Sequence, residues 1–210
     1  MAPRPSAVYL AIGALTLPIV RTIFRLRARG TEHLPAEGGF VLSPNHLSNF
    51  DPWALGVPLF PRRFLRFMAK SELYWFPLGK LIQAGGAFKV RRGERDTAAI
   101  ERGIELAREG HAVVIFPEGT RRKKGVIKKH QPRPHTGAAR IALGADVPLI
   151  PAAIKGTDNL LRLGPLRVVY GPPVQLDDLR GKGAGADDRD AAQEATERLM
   201  VAIDRLNETL

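Results

Sequence analysis

The run Ala112-Val113-Val114-Ile115-Phe116 is apolar at every position and lies between Gly110-His111 and Pro117-Glu118-Gly119. A strand with one wet face alternates polar and apolar residues, so an unbroken, β-branched run reads as a strand buried on both faces. Such a strand needs cover above and below, and its neighbours in sequence supply it. Asp96 to Glu109 reads as a helix, with Asp96 as its cap, Ala99, Ile100, Ile104 and Ala107 as its apolar face, and Gly110 as its stop. Further strands are expected at Gly39–Leu42, Phe64–Ala69, Ala87–Arg91, Val147–Ile154 and Leu166–Tyr170, with Pro148 and Pro151 tolerated as edge or bulge positions. Helices are expected from Asp51-Pro52, from Lys70 to Ile82 with a break at Pro77, over Thr136–Leu143 with Gly144 as its end, and from about Asp187 to the last residue. Strands that alternate with helices argue an α/β fold: a single layered domain with a mostly parallel or mixed central sheet flanked by helices. The 210 residues suffice for one well-buried domain. The expected organisation is an N-terminal helix over 1–29, an α/β domain over 30–180, and a linker with a closing amphipathic helix over 181–210.

Charge and the N-terminus bear on partners. A formal charge of +11 points to an anionic one: nucleic acid, an anionic membrane surface or a phosphorylated substrate. The absence of cysteine excludes disulfides, thiolate metal sites and a cysteine nucleophile. Pro5 to Val20 carries no charge, and Val8, Ile12, Leu15, Ile19, Ile23 and Leu26 recur at helical spacing through and beyond it. At the helical rise these uncharged residues reach about 24 Å, short of a ~30 Å bilayer core. Pro18 would kink the helix, Arg21, Arg25, Arg27 and Arg29 crowd its far end, and Ile19-Val20-Arg21 is no signal-peptide cleavage site. The segment therefore reads as a membrane-associating helix that lies in or dips into a bilayer, with arginines at anionic headgroups; a buried helix of the domain is the plainer alternative.

The chemistry-bearing residues fall in loops that follow strands, where α/β folds collect ligands. His46 lies between the strand Gly39–Leu42 and the helix opened by Asp51-Pro52. If the loop curls back, the Asp51 carboxylate accepts from one imidazole nitrogen and leaves the other as a general base. The same residues also fit a plainer arrangement, in which Asp51 only caps the helix and His46 is an ordinary loop residue. Arg91 and Arg92 follow the strand at Ala87, and Glu118-Gly119-Thr120-Arg121 follows the strand at Ala112. Arginines suit a phosphate and Gly119 lets a backbone approach it closely. No G-x-S-x-G element supplies a serine nucleophile, so direct attack by a substrate hydroxyl is the more economical chemistry. His130 and His135 have no Asp or Glu beside them, and no metal site is expected; His33 and His111 read as surface residues. Trp53, Trp75 and Phe76 read as core packing or as the lining of an acyl groove.

These motifs carry a resemblance. Asn45-His46-Leu47-Ser48-Asn49-Phe50-Asp51 resembles the N-H-x(4)-D motif of the glycerolipid acyltransferases, which include the 1-acylglycerol-3-phosphate acyltransferases. Gly86-Ala87-Phe88-Lys89-Val90-Arg91-Arg92 is similar to that family's second block, Phe116-Pro117-Glu118-Gly119-Thr120-Arg121 to its third, and Val147-Pro148-Leu149-Ile150-Pro151 to its fourth, in the family's order. Two departures are Lys89, where an apolar residue or proline is usual, and the strongly basic run Arg121 to Lys129. The resemblance implies an acyltransferase in phospholipid synthesis that moves a fatty acyl group from acyl-CoA or acyl carrier protein to a hydroxyl of lysophosphatidic acid. It implies His46 and Asp51 as the catalytic pair, and Arg92, Glu118, Gly119, Thr120 and Arg121 as the acceptor-binding residues. No cofactor is implied beyond the acyl donor as co-substrate. The implied partners are that donor, a lysophospholipid acceptor and an anionic membrane surface, with no nucleic acid bound; the expected location is the cytoplasmic face of the cell membrane, peripheral or monotopic. Glycerol 3-phosphate, another lysophospholipid or a glycolipid are alternative acceptors. A non-enzymatic basic protein that binds membrane or nucleic acid explains the charge but not His46, Asp51 or the turn at Glu118.

Overall fold

A computed structural model describes residues 5–70, 78–90, 97–118, 134–180 and 185–210. Arg91, Arg92, the expected cap Asp96, residues 119–133, Trp75, Phe76 and the linker residues 181–184 lie outside them. The elements in chain order are α1 (Ala7–Thr22), β1 (Arg27–Arg29), β2 (Phe40–Pro44), α2 (Asp51–Gly56), β3 (Leu65–Lys70), α3 (Leu78–Ala84), β4 (Ala87–Val90), α4 (Thr97–Arg108), β5 (Ala112–Val114), α5 (Gly137–Ala145), β6 (Leu149–Lys155), β7 (Arg167–Tyr170), α6 (Asp177–Arg180) and α7 (Arg189–Glu208).

The strands form one seven-stranded sheet in the order β1-β7-β6-β2-β5-β3-β4. From β6 to β4 all pairs are parallel; β7 runs antiparallel to β6 and carries β1 parallel to itself at the far edge. The sheet is thus mixed, with a parallel centre. β5 sits between β2 and β3 and is wholly buried, as its unbroken apolar run requires. Alternation along β2 shows how both faces are used. Val41 packs with Ile100, Ala139, Leu149 and Leu199 on the side of α4, α5 and α7, while Phe40 and Leu42 pack with Leu55, Ile150 and Tyr170 on the side of α2.

Several expectations from sequence change. Residues 27–29, expected within the N-terminal helix, form β1 instead, and Lys70, expected to open a helix, is the last residue of β3. Gly144 does not end α5: the helix runs to Ala145 and closes at Asp146, which takes the left-handed conformation at φ 55°. Gly144 is instead a point of close packing, since a Cβ there would lie 2.7 Å from Ile104 Cδ1 and 2.8 Å from the Ala186 Cβ. Pro151 is not at an edge or bulge, because β6 pairs on both sides. Its carbonyl accepts from Gly171 N–H at 2.8 Å, just past the end of β7, so the N–H that proline lacks would face a strand already departing from the sheet.

The apolar residues of α1 are divided between the domain and the outer surface. One face of the helix lies on the domain: Tyr9 packs edge-on against Phe64 with centroids 4.5 Å apart, a Cβ on Gly13 would meet the Phe60 ring, and Val20 is buried with Val57 and Leu166. Of the periodic set found in the sequence, Leu15 is 71% exposed and Val8, Ile19 and Ile23 are each exposed by about half, while Ile12 is half-buried and Leu26 packs against the core. No helix among the described residues is long and apolar enough to cross a membrane.

The histidines at 33 and 111 are not surface residues. His33 is half-buried and its Nδ1 lies 2.9 Å from the Tyr170 carbonyl. The His111 side chain is only 14% exposed, with Nδ1 buried and unpartnered among the described residues. Burial, and then the charge of Arg66, hold the His111 pKa below its ordinary value of 6.5. The folded protein thus binds this proton less readily than the unfolded chain, and the stability that neutral His111 contributes is full above pH ~6.5 and lost as pH falls through the lower folded value. Urea denaturation as a function of pH is expected to show stability falling on acidification below that point, and His111→Gln to flatten that segment of the profile.

Candidate functional site

β2 ends at Pro44, and the next residue explains how the chain can leave the sheet there. Asn45 is buried; its Nδ2 donates to the Ile154 carbonyl at 3.1 Å and its Oδ1 accepts from Ile154 N–H at 2.7 Å. The side-chain amide therefore takes the place of the backbone that β2 no longer presents to β6, and the main chain is released into the loop that carries His46. Ser43 secures the other side, its hydroxyl donating to the Ile115 carbonyl at 2.8 Å.

The loop then folds back on Asp51, which is fully buried. His46 Nδ1 donates to Asp51 Oδ2 at 2.7 Å, and the same oxygen accepts the N–H groups of Leu47 at 2.7 Å and Ser48 at 2.9 Å. Oδ1 accepts from the Thr157 hydroxyl at 2.5 Å. Asp51 is the first residue of α2, whose N-cap is Phe50 and which has no side-chain cap bond, so the carboxylate does not cap the helix. Its oxygens reach backward into the loop instead. α2 is itself fixed to the sheet by Tyr170, fully buried, whose hydroxyl donates to the Leu55 carbonyl at 2.6 Å. Burial drives the Tyr170 phenol pKa far upward, so it remains a donor.

His46 keeps 17% of its side chain exposed. One face of its ring stacks on Phe116, centroids 4.0 Å apart and planes 27° from parallel. Because Nδ1 is engaged by Asp51, Nε2 is the ring atom left to exchange a proton with a bound molecule. The stack also ties the His46 loop to the segment after β5, and Glu118 stands two residues past Phe116 in the same turn. β2, β5 and β6 are parallel neighbours, so His46, Glu118 and Thr157 all follow strand ends at one edge of the sheet. β4 runs in the same direction and ends at Val90, while Arg92, Gly119, Thr120 and Arg121 lie outside the described residues.

Three participants escape a reading of the sequence alone: Asn45 as a substitute for backbone, Phe116 as a stacking partner, and Thr157 as the donor to the second carboxylate oxygen. Thr157 had one available signal, its place two residues past Lys155 at the carboxyl end of β6. Trp53, expected as core or groove lining, is 49% exposed and packs edge-on against Phe50 with centroids 5.5 Å apart.

A histidine oriented by a buried aspartate at the carboxyl edge of a parallel sheet defines an α/β protein equipped for general-base chemistry. The chain belongs to the acyltransferase family: the family model of that description matches residues 25–155, more than half of its length. A 1-acyl-sn-glycerol-3-phosphate acyltransferase of Bacillus subtilis (strain 168) is 35% identical over 153 residues, covering 70% of this chain and 72% of that protein. One of Borreliella burgdorferi is 32% identical over 136 residues, and there the match spans 62% of this chain but only 51% of the relative. The fold is that of the crystal structure of the 1-acyl-sn-glycerophosphate (LPA) acyltransferase from Thermotoga maritima, at a TM-score of 0.67 and 22% identity over 96% of this chain and 78% of that one.

Thr157→Val removes the donor to Asp51 Oδ1 and leaves that oxygen buried. Chemical denaturation is expected to show a loss of about 1–3 kcal/mol, recovered largely by Thr157→Ser, which restores the hydroxyl. Asn45→Ala strands both polar groups of Ile154 and is expected to cost about 2–4 kcal/mol in the same measurement.

Proposed function

We propose that the protein is a 1-acylglycerol-3-phosphate O-acyltransferase, which moves a fatty acyl group from acyl-CoA or acyl carrier protein to the free hydroxyl of lysophosphatidic acid and so makes phosphatidic acid. The observation that carries this reading is the His46–Asp51 pair, in which Nδ1 is engaged and Nε2 is the ring atom left to take a proton. The names of the relatives support the substrate assignment.

In the proposed reaction His46 Nε2 accepts the proton of the acceptor hydroxyl as its oxygen attacks the thioester carbonyl. Asp51 holds the ring in position and stabilises the imidazolium that forms. Collapse of the tetrahedral adduct breaks the carbon–sulfur bond and releases the thiol, which takes its proton back from Nε2. The ester forms, the thioester breaks and the histidine is regenerated with no metal or redox partner in the balance. Glu118, with Arg92, Gly119, Thr120 and Arg121, is assigned to the acceptor's glycerol and phosphate through the family motifs, since guanidinium groups suit a phosphate monoester.

The acceptor and the product are bilayer lipids, and α1 suits a protein that works at their surface. Its outward stripe of Val8, Leu15, Ile19 and Ile23 ends at Arg21 and Arg25, both exposed. This is the pattern of a helix lying at an anionic interface, and it supports the reading of a protein held peripherally on the cytoplasmic face of the membrane.

His46→Ala is expected to lower acyl transfer from acyl-CoA to lysophosphatidic acid by roughly two to four orders of magnitude while unfolding stability stays near that of the parent. Full activity in that variant would sink the mechanism.

A further inference from the structure

Beyond α1, a second part of the surface has the chemistry of a lipid interface. Between β6 and β7 the chain turns through residues Thr157 to Leu163. Leu160 anchors this turn from inside, packed with Val20, Val57 and Leu166. The next residues point outward: Leu161 is 98% exposed and Leu163 51%, with Arg162 between them. The tip has a fixed shape. Leu163 adopts the left-handed conformation at φ 47°, its N–H bonds to the Leu160 carbonyl at 2.9 Å, and its own carbonyl accepts from Arg25 at the end of α1 at 3.3 Å. Two leucines held outward together on a braced turn and rimmed by polar residues have the form of an interaction surface.

Cations surround the tip. In register across three strands, Lys155 of β6 lies opposite Arg167 of β7, and Arg167 lies opposite Arg27 of β1. Residues paired in this way share a face of the sheet, and like charges directly opposite one another are destabilising. All three are exposed. Lys155, Arg162 and Arg167, with Asn159, line one cavity of about 280 Å³ beside the tip. Asp158 is the one acidic residue from Lys155 to Leu176. A row of cations kept together against their mutual repulsion, next to outward leucines, is complementary to an anionic surface with an apolar interior.

We propose that the Leu161-Arg162-Leu163 tip is a second membrane-docking element: its leucines enter an anionic phospholipid leaflet and Lys155, Arg162, Arg167 and Arg27 meet the headgroups. The inference rests on the bilayer reading given above and adds a second contact to it. The two elements are joined physically, through Leu160 on Val20 and Arg25 on Leu163. The consequence for the site is orientation. The docking turn begins at Thr157, whose hydroxyl holds Asp51, so lipid contact at the tip sets the His46 loop at the surface from which a lipid acceptor arrives.

The test is sedimentation of the full chain with vesicles of phosphatidylglycerol or of phosphatidylcholine. Leu161→Asp, at a fully exposed position, is expected to leave thermal unfolding unchanged and to weaken phosphatidylglycerol binding about tenfold. Leu163→Asp is expected to weaken it as well with the fold intact, since aspartate tolerates the left-handed backbone. Arg162→Glu with Arg167→Glu is expected to remove most of the preference for phosphatidylglycerol over phosphatidylcholine. If the parent protein binds vesicles and both leucine variants bind equally well, the proposal is wrong and α1 alone accounts for the contact. A parent protein that binds neither vesicle overturns this inference and the bilayer reading together.

Discussion

A buried carboxylate has to find its donors inside the protein, and Asp51 finds four. His46, Leu47 and Ser48 supply one oxygen and Thr157 the other. Unpaired burial of such a group costs far more than any single bond returns, so the four donors are obliged to converge on it. That convergence defines the loop. The two backbone N–H groups curl residues 46–48 around Asp51, and the curl presents the imidazole edge-on to one carboxylate oxygen. The remaining ring nitrogen is then fixed in direction by the fold and not by whatever binds to it, which is the preorganisation that general-base chemistry needs.

The rest of the domain serves this arrangement. The parallel centre of the sheet brings the ends of β2, β5 and β6 side by side, so residues far apart in sequence meet at one edge: His46 on Phe116, Asp51 on Thr157, Asn45 on Ile154. Antiparallel β7 starts at that edge, where Arg167 pairs with Lys155, and runs away from it to place Tyr170 under α2. β1 pairs with β7 and ties the N-terminal helix to the same body, since Leu166 N–H bonds to the Phe24 carbonyl at 3.0 Å. α1 and Asp51 are thereby connected through a short stretch of chain, from Val20 through the turn at Leu160 to Thr157.

Much of this was legible in the sequence. Local signals sufficed for the strands with continuous apolar runs, for α4 with its Gly110 stop, and for the pairing of His46 with Asp51 across a loop of short span. Readings that failed did so because tertiary packing overrode a local signal. Gly144 resembles a helix stop but is a contact with Ile104, and Pro151 resembles an edge residue but sits where β7 has just ended. His111 carries a polar side chain yet is covered by its neighbours. Asp51 illustrates the limit most sharply. Its place at a helix start argues a cap, and only the three-dimensional position of Thr157, 106 residues away, shows that both oxygens are committed elsewhere. The stripe on α1 was visible as periodicity, but periodicity does not say which way a stripe faces.

The central claim is that Asp51 determines which nitrogen of His46 carries the proton in the resting protein. Nitrogen-15 NMR of the labelled imidazole reads this directly. Neutral His46 is expected to be protonated at Nδ1 and bare at Nε2, and Asp51→Asn to disrupt this state. A neutral His46 protonated at Nε2 in the parent protein, or a tautomer unchanged by Asp51→Asn, would contradict it.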